Sequence, residues 1–337
     1  MIAVLRQAQA GRARLSRLRE HDWTPAERAA LIAALAIVMG TLFVTSYSLA
    51  LGDPVPHRIG AALVGDRDNH VRTVDEVERV AQGSLDFERY PSLGAALHAM
   101  DEQQVYAALD LTARRPTLYI AAAAGASVAR VLEQVSAVDP AVRVVDTHPL
   151  GPHDPNGIEI FYLMLVATIV GFITVFQVRA NAGGLRLHHW SLFVAGLAIA
   201  ASLVFTLVDG PLLDRLDLPV LRTSGILALQ LVAVSSFASL MLVLLGRWAI
   251  VPTWLFFVVL GNGSSGGAVA PPLLPEPFAF HSQWLPSGAT VTALREAVYF
   301  PHYEHARPLV ILAAWALGLS AAMIVVSRRF QTSPGGS

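Results

Sequence analysis

The chain has 337 residues and a formal net charge of −1; 54% of its residues are hydrophobic and 15% are charged. Soluble domains carry about a quarter charged residues, so this composition excludes an ordinary soluble protein and indicates several membrane-spanning helices. The chain has no cysteine, which excludes disulfides, catalytic thiols and thiolate metal sites.

Six apolar windows predict the membrane helices. Five have about the 20 residues that cross a bilayer, namely residues 29–51, 158–178, 190–208, 222–245 and 308–326. The sixth, residues 248–261, is short. We predict that it also crosses, because six crossings put eleven arginines, in both tails and in two of the loops between helices, on one side. The positive-inside rule makes that side cytoplasmic. These arginines are Arg6, Arg12, Arg14, Arg17, Arg19, Arg28, Arg179, Arg186, Arg247, Arg328 and Arg329.

The first span is predicted to be an uncleaved anchor after a cytoplasmic basic tail, residues 1–28. Thr24, Pro25 and Glu27 form a capping-box pattern with proline at the first helical position, which marks a helix start. A signal peptide is the alternative, because Ser48 and Ala50 resemble a small-residue cleavage site. The apolar region, however, exceeds the roughly 7 to 15 residues that such peptides use. The basic tail is predicted either to lie on the inner leaflet as an amphipathic helix or to fray.

Residues 52–157 are predicted to form an extracytoplasmic α/β domain between the first two spans. Apolar alternation predicts strands, and helical periodicity predicts helices. The predicted strands are residues 57–64, 85–90, 105–111, 117–122 and 142–147, and the predicted helices are residues 71–82, 93–102 and 127–138. The whole chain is therefore predicted to be a polytopic α-helical membrane protein with an inserted α/β domain.

Residues 158–327 hold the five further spans, whose interiors are nearly free of ionisable groups. The polar exceptions are Glu159 at the entrance of the second span and Gln177, Gln230, Ser235, Ser236 and Ser239. Ion-coupled transporters carry charge in the membrane, so we disfavour a secondary transporter. We interpret the small residues, such as Gly196, Ala201, Ser235 and Ser239, as helix-packing positions.

No residue pattern predicts catalysis or cofactor binding, and we expect no enzyme. The chain has no lysine, so it has no P-loop, which needs a lysine on the phosphates. Residues 263–267 read GSSGG, which fits G-x-S-x-G in letters, but no strand and helix flank them in the order that a nucleophile elbow needs, and the sequence has no HExxH motif. His302, Glu304 and His305 have spacing that a metal can use, but we interpret them as solvated residues at the outer surface. We predict no metal site.

Residues 251–300 predict a re-entrant element between the last two spans. An apolar run ends in a glycine and serine turn, passes through a proline-rich segment and resumes as a helix pattern. Irregular backbone at membrane depth occurs only where it is buried in protein or lines a wet cavity. We predict an interfacial helix with Val291, Leu294 and Val298 on its apolar face, from which Arg295 and Glu296 project.

The same stretch carries a family resemblance. Residues 262–278 read NGSSGGAVAPPLLPEPF, and residues 285–290 read LPSGAT, with Ala293, Arg295, Tyr299 and Phe300 after them. Together with one span, an outer domain and five further spans, these motifs resemble the phage infection protein family and, more loosely, the membrane subunits of type 2 ABC exporters. Gly263 and Ser287 stand where that family has proline.

The resemblance implies that residues 262–272 and 286–299 form outward re-entrant and surface helices that flank a lateral path. The candidate path residues are Asn262, Gly263, Ser264, Ser265, Gly266, Gly267, Pro271, Pro272, Pro286, Gly288 and Arg295. It also implies an exporter permease for a lipophilic or cell-surface cargo, powered by a separate ATPase subunit.

We expect a homo- or hetero-dimer in the lipid bilayer and no nucleic-acid partner. All 24 basic residues are arginines, which suggests a bacterial genome of high GC content and hence a bacterial inner membrane. The alternative is a non-transporting envelope protein whose outer domain binds a partner.

Overall fold

A computed structural model describes residues 24–52, 54–182 and 184–332, with the side chains of residues 331 and 332 left out. Most of the predicted basic tail, residues 1–23, therefore lies outside the described residues. The same holds for residues 333–337 of the predicted carboxyl-terminal tail.

Helix α1 (Pro25–Leu51) begins at the predicted capping box. Thr24 Oγ1 accepts a hydrogen bond from the Glu27 backbone N–H at 3.3 Å, and the Glu27 carboxylate accepts one from the Thr24 N–H at 2.8 Å. Two donors that a helix start leaves without partners are thereby satisfied. Only Ser46 and Ala50 of this helix are buried, so almost its whole apolar surface faces away from the protein.

The next part of the chain is a mixed sheet with helices between its strands, here called the sheet region (residues 59–146). Its elements are β1 (Ile59–Val64), α2 (Val71–Val80), β2 (Leu85–Tyr90), α3 (Leu93–Asp101), β3 (Ala107–Asp110), β4 (Thr117–Ile120), α4 (Ala126–Glu133), α5 (Val135–Val138) and β5 (Arg143–Asp146). The strand order is β2-β1-β3-β4-β5. Neighbouring strands are parallel except β3 and β4. The predicted strands and helices are confirmed to within two residues, except that the last predicted helix is split into α4 and α5.

The extent to which each strand is buried follows the amino-acid composition of that strand. Strands β1 and β3 consist mostly of alanine, leucine and valine and are buried on both faces, as central parallel strands are. Strand β2 reads LDFERY, and its side chains are alternately half-buried and exposed over most of its length. It therefore occupies an edge.

Three long helices follow: α6 (Glu159–Asn181), α7 (Leu187–Leu207) and α8 (Val220–Leu245). A π-helical turn, Val208–Leu212, continues α7. All three predicted spans are confirmed as helices. Helix α8 lies at the centre of the bundle, since its buried side chains cover most of its length and it packs on α6 and α7.

The short sixth window folds back along α8. At Gly246 the backbone has φ +58°, after which a 3₁₀ turn (Gly246–Ala249), helix α9 (Ile250–Trp254) and a π-helix (Leu255–Asn262) follow. We call residues 246–262 the returning arm. The Phe237 ring of α8 stacks on Phe256 of this arm with 5.0 Å between ring centres, so α8 and the returning arm are antiparallel. At 1.5 Å per residue the returning arm spans about 25 Å, close to the roughly 30 Å of a hydrocarbon core.

Three helices complete the chain: α10 (Glu276–Ser282), α11 (Pro286–Tyr299) and α12 (Ala306–Thr332). Within the described residues, 5 helical runs are long and apolar enough to cross a membrane. The fourth run, Val220–Asn262, is the one that turns at Gly246. Six crossings therefore stay a prediction, because the number depends on whether both arms of this run cross.

Three sets of contacts establish the directions of the helices around α8. The first set joins Thr168 and Gly171 of α6 to Gln230 and Ser235 of α8, in that order. The second joins Trp190 and Thr206 of α7 to Ser239 and Ser224. The third joins Glu304, just before α12, and Ser320 of α12 to Arg222 and Ser236. Residue numbers rise together in the first and third sets and oppositely in the second. Helices α6 and α12 therefore run parallel to α8, and α7 runs antiparallel to it.

The helix directions define two ends of the bundle. Ser46 of α1 hydrogen-bonds to Val259 O at 2.6 Å, and Phe43 lies near Trp254, so α1 runs parallel to the returning arm. The starts of α1 and α7 and the ends of α6, α8 and α12 thus lie together, at what we call the arginine end. The described arginines there are Arg28, Arg179, Arg186, Arg247, Arg328 and Arg329. The opposite end, the sheet end, carries the sheet region.

Small residues in the bundle have mixed roles. Ser235 Oγ donates to Gly171 O at 3.2 Å, and a Cβ on Gly171 would lie 3.0 Å from the Val234 side chain, so close packing of α6 on α8 is confirmed. Gly196 is different. It is exposed, and no atom lies within 4 Å of where its Cβ would stand. The prediction that Gly196 is a packing position in this chain is therefore wrong.

Candidate functional site

All the candidate path residues lie in residues 262–300, here called the glycine–proline segment, at the sheet end of the bundle. The predicted helix over residues 262–272 is wrong, since that stretch contains only the last residue of the π-helix, Asn262, and the start of a 3₁₀ turn, Pro271–Leu273. Glycine and proline are the weakest helix formers, and three glycines precede two consecutive prolines here. The predicted helix over residues 286–299 is confirmed as α11.

The start of the segment is a turn held by its own polar groups. Ser265 Oγ donates to Asn262 O at 2.8 Å and accepts from the Gly267 N–H at 3.3 Å. Gly266 has φ +72°, a conformation that side chains with a Cβ rarely adopt. A Cβ on Gly267 would lie 2.8 Å from the Cβ of Phe161. The turn therefore requires glycine at both positions, once for its dihedral angle and once for space.

Arg295 ties helix α11 to this turn. Its Nη2 donates to Gly266 O at 2.8 Å. Burial lowers the pKa of the Arg295 guanidinium, and nearby Tyr106 and Tyr299 oppose that shift; the group stays charged at neutral pH. Burial, with Asp154 nearby, raises the pKa of Tyr299 to about 12. The phenol is therefore neutral in any physiological buffer.

The prediction that Arg295 and Glu296 project from an interfacial helix is wrong. Glu296 is 4% exposed, and its carboxylate accepts from the His305 backbone N–H at 3.1 Å and lies 3.1 Å from His305 Nδ1. Most of α11 is buried, because it packs on α8 and α12 as well as on the returning arm. Helix α11 is therefore buried on several sides and is not an interfacial helix with one apolar face.

The start of α11 makes the closest backbone approach in the segment. Pro286 is its first residue, and its carbonyl accepts from Thr290 Oγ1 at 2.8 Å. A Cβ on Gly288 would stand 1.9 Å from Ser282 O. Helices α10 and α11 therefore meet at a point where only glycine fits.

Buried hydroxyls lie where the returning arm meets the segment. Ser264 and Ser287 are both 0% exposed, and their Oγ atoms have no hydrogen-bond partner among the described residues. A Cβ on Gly261 would lie 2.9 Å from Ser287 Oγ, which places that hydroxyl against the returning arm. The amide of Asn262, 1% exposed, faces the Tyr47 phenol. A buried polar group without a hydrogen bond costs about 1 to 3 kcal/mol of folding free energy. These hydroxyls therefore form a small polar site, unfavourable for stability, inside the bundle.

The segment also completes the core of the sheet region. Val269, Ala270, Leu273 and Leu274 are buried in one cluster with residues from one face of the sheet. Phe300 is buried in a second cluster, on the opposite face, and its ring stacks on His148 with 4.8 Å between centres. Ala61 and Ala62, adjacent on β1, belong to different clusters. Both faces of the sheet therefore use apolar side chains from the segment.

Hydrogen bonds also link the sheet region to the glycine–proline segment, and we call this contact region the joint. Ser127 Oγ, at the start of α4, accepts from the Ala270 N–H at 2.9 Å. Pro272 O accepts from the His57 N–H at 2.7 Å. The cleft between Gly125, Gly266 and Tyr299 has about 10 Å³ of free interior, roughly the room for one water. The joint is thus closed rather than a ligand pocket.

Glu304 and His305, after α11, make contacts within the protein. Glu304 forms an ion pair with Arg222 at the start of α8, and His305 contacts Glu296. His302 is exposed, as expected, whereas Glu304 is half-buried, so the prediction of three solvated residues fails for Glu304. Across the described ranges, no group of three or more histidine, cysteine, aspartate or glutamate side chains could hold a metal ion.

Gln230, a polar residue of α8 that the sequence singled out, is fully buried. Its Nε2 donates to Thr168 Oγ1 at 2.9 Å, and its Oε1 lies 3.0 Å from Thr290 Oγ1, whose single hydrogen is shared with Pro286 O. This bridge links α6, α8 and α11 and supports the packing interpretation. Sequence reasoning missed Thr168, Thr290 and Ser127, because a lone hydroxyl residue in an apolar or alanine-rich run gives no pattern to detect.

These features define the class of protein. Ile37, Leu192 and Leu317 are 69%, 68% and 70% exposed on helices of membrane-spanning length, and apolar surface of that extent is stable in lipid rather than water. The chain is a helical membrane protein with a small mixed sheet at one end of its bundle. No family model, curated protein or solved structure matches it.

Proposed function

We propose that the chain is the membrane permease subunit of a type 2 ABC-like exporter that moves a lipophilic or cell-surface cargo. The observation that carries the proposal is the glycine–proline segment. It enters the helical bundle as irregular backbone, and the Ser264 hydroxyl there and the Ser287 hydroxyl at the start of α11 have no hydrogen-bond partner among the described residues. At membrane depth such groups are tolerated where they are buried in protein or line a wet cavity, and the exporter proposal takes the second case, because an export path needs such a cavity.

The proposed topology has six crossings in a bacterial inner membrane, with both termini cytoplasmic. Two observations support it. Six described arginines lie at the arginine end of the bundle, and fewer, such as Arg222 and Arg307, lie near helix starts at the sheet end; the positive-inside rule makes the end with more arginines cytoplasmic. The returning arm runs from that end toward the sheet. The sheet region and the glycine–proline segment are then extracytoplasmic.

In this proposal the segment shapes the path and does no chemistry. Arg295 holds the Gly266 turn, and the bridge from Gln230 to Thr290 holds α11 against the bundle. The energy comes from a separate ATPase subunit, since the chain has no lysine for a P-loop. A lateral path between two permease chains requires a homo- or hetero-dimer.

The second candidate is a non-transporting envelope protein whose outer region binds a partner. One observation favours it: the joint between the sheet region and the segment is closed, with about 10 Å³ of free interior near Arg295. A rigid joint suits a platform that presents the sheet to a partner.

Co-purification distinguishes the two candidates. We expect the chain, extracted from its native membrane in mild detergent, to carry a nucleotide-binding subunit, and its deletion to change efflux or envelope composition. If the purified complex contains no ATPase and the deletion leaves both properties unchanged, the exporter proposal is refuted and the platform remains.

Single-cysteine labelling tests the topology, and the chain has no native cysteine to interfere. Ser136 and Phe280 are exposed at the sheet end, and Ala182 and Arg247 are exposed at the arginine end. We expect a membrane-impermeant maleimide to label Ser136→Cys and Phe280→Cys in intact cells, but Ala182→Cys and Arg247→Cys only after lysis. Labelling of Phe280→Cys and Arg247→Cys from the same side would rule out six crossings.

A further inference from the structure

A second cavity lies at the arginine end, far from the glycine–proline segment. It holds about 290 Å³ between the ends of α6, α8 and α12 and the start of α7. It runs inward from exposed Arg179 and Leu185 to buried Ser239 and Met323. That volume is near the lower limit of small-molecule pockets, roughly 300 to 1,000 Å³.

The chemistry of the cavity changes from mouth to floor. Leu242, Met323 and Phe330 give it apolar walls. The Trp190 indole N–H already donates to Ser239 Oγ at 2.9 Å, so the floor offers little polar capacity. The Arg179 guanidinium, at the mouth, makes no hydrogen bond or ion pair with another residue that the structure describes. A matching ligand is apolar over most of its length and anionic at one end.

Charge at this end favours an anion. The described part of the chain places six arginines there. The one described carboxylate at that end, Glu27, is hydrogen-bonded to Thr24 at the start of α1. Arginine binds phosphate with paired, charge-assisted hydrogen bonds. The cavity lies among helices of membrane-spanning length, so the amphiphile at hand is a membrane lipid.

We propose that this cavity binds one anionic phospholipid from the surrounding leaflet, with its phosphate on Arg179 and an acyl chain between α7, α8 and α12. The site is independent of whether the chain exports a cargo. It would hold the ends of four helices together, so the lipid acts as a structural ligand of the arginine end.

Lipid titration of the full-length protein in detergent tests the site. We expect phosphatidylglycerol to raise the melting temperature and to be retained in native mass spectra, whereas phosphatidylcholine and inorganic phosphate have no comparable effect. Arg179→Gln should weaken phosphatidylglycerol binding about tenfold, since loss of one charge-assisted contact corresponds to that change. Leu185→Trp should fill the mouth of the cavity and weaken binding without touching a charge.

Matched variants at the same end serve as controls. Arg186 is exposed at the start of α7 but does not line the cavity, and Leu192 is 68% exposed on the same helix. Arg186→Gln and Leu192→Trp should therefore leave lipid retention unchanged. The proposal is overturned if Arg179→Gln and Arg186→Gln lose lipid equally, which indicates general attraction to a basic surface. It is also overturned if phosphatidylcholine or inorganic phosphate stabilises the protein as well as phosphatidylglycerol does.

Discussion

The sheet region and the glycine–proline segment pack against each other but are built by opposite rules. The sheet region places small apolar residues on regular strands, and its backbone groups pair in ladders. The segment contains an irregular stretch, residues 263–270, and its glycines admit close contacts, at Gly267 in that stretch and at Gly288 in α11. Both nevertheless contribute to the same apolar clusters. The comparison teaches that buried irregular chain can complete the core of a regular sheet when glycine removes the steric obstacle.

A consequence follows for motion. Val269, Ala270 and Leu273 lie on one face of the sheet and Phe300 on the other, so the sheet is held between two parts of the segment. A shift of the sheet region must move the turn at Gly266 or the end of α11. In the exporter proposal, a partner that binds the sheet could therefore act on the path.

The largest expected effect comes from Phe300→Ala. Phe300 is 1% exposed and is the fully buried residue that the segment adds to its cluster, against which Tyr299 also packs, so truncation leaves a cavity between bundle and sheet. Phenylalanine-to-alanine changes in cores cost about 3 to 5 kcal/mol. We expect a clearly lower melting temperature in detergent and faster proteolysis of the sheet region.

Phe280→Ala is the matched control, since Phe280 is 60% exposed in the same segment. Equal melting temperatures for Phe300→Ala and the unaltered protein would show that the sheet region has an independent core, and the comparison would fail.

Gly288→Ala comes next. The new Cβ would stand 1.9 Å from Ser282 O, a backbone atom that cannot rotate away, so α10 and α11 must move apart. Overpacking costs about 1 to 3 kcal/mol, and we expect the upper end of that range as a lowered melting temperature. Gly318→Ala in α12 is the control, because no atom lies within 4 Å of its Cβ position. If both variants melt alike, α11 has more room than the contact indicates.

Ser127→Ala should have the smallest effect. It removes the acceptor of the Ala270 N–H and leaves that buried amide without its partner, at a cost of about 1 kcal/mol. We expect little change in melting temperature but faster hydrogen exchange at the Ala270 amide. Ser136→Ala, whose hydroxyl bonds to Glu133 O in its own turn, should leave that exchange unchanged. Unaltered exchange in Ser127→Ala would mean that apolar packing alone holds the joint.

Local pattern explains why so much of the fold was predictable. The elements of the sheet region and the long helices α6, α7, α8 and α12 follow from periodicity and apolar length, because those signals lie within neighbouring residues. The capping box at Thr24 is equally local. The errors at Arg295, Glu296 and Gly196 share one cause. Whether a helical residue faces protein or lipid depends on neighbours distant in sequence, and in a membrane both surroundings accept apolar residues.

The sequence by itself determined that this is a helical membrane protein, it predicted the strands and helices of the sheet region, and it located the glycine–proline segment as the unusual stretch. Only the tertiary structure decided that the segment completes the core of the sheet, that Arg295 reaches Gly266 O and that a cavity opens beside Arg179. Composition indicates the class of protein, and periodicity among neighbouring residues determines local helix or strand conformation. A shared core arises from contacts between residues far apart in sequence, which form only when the whole chain has packed.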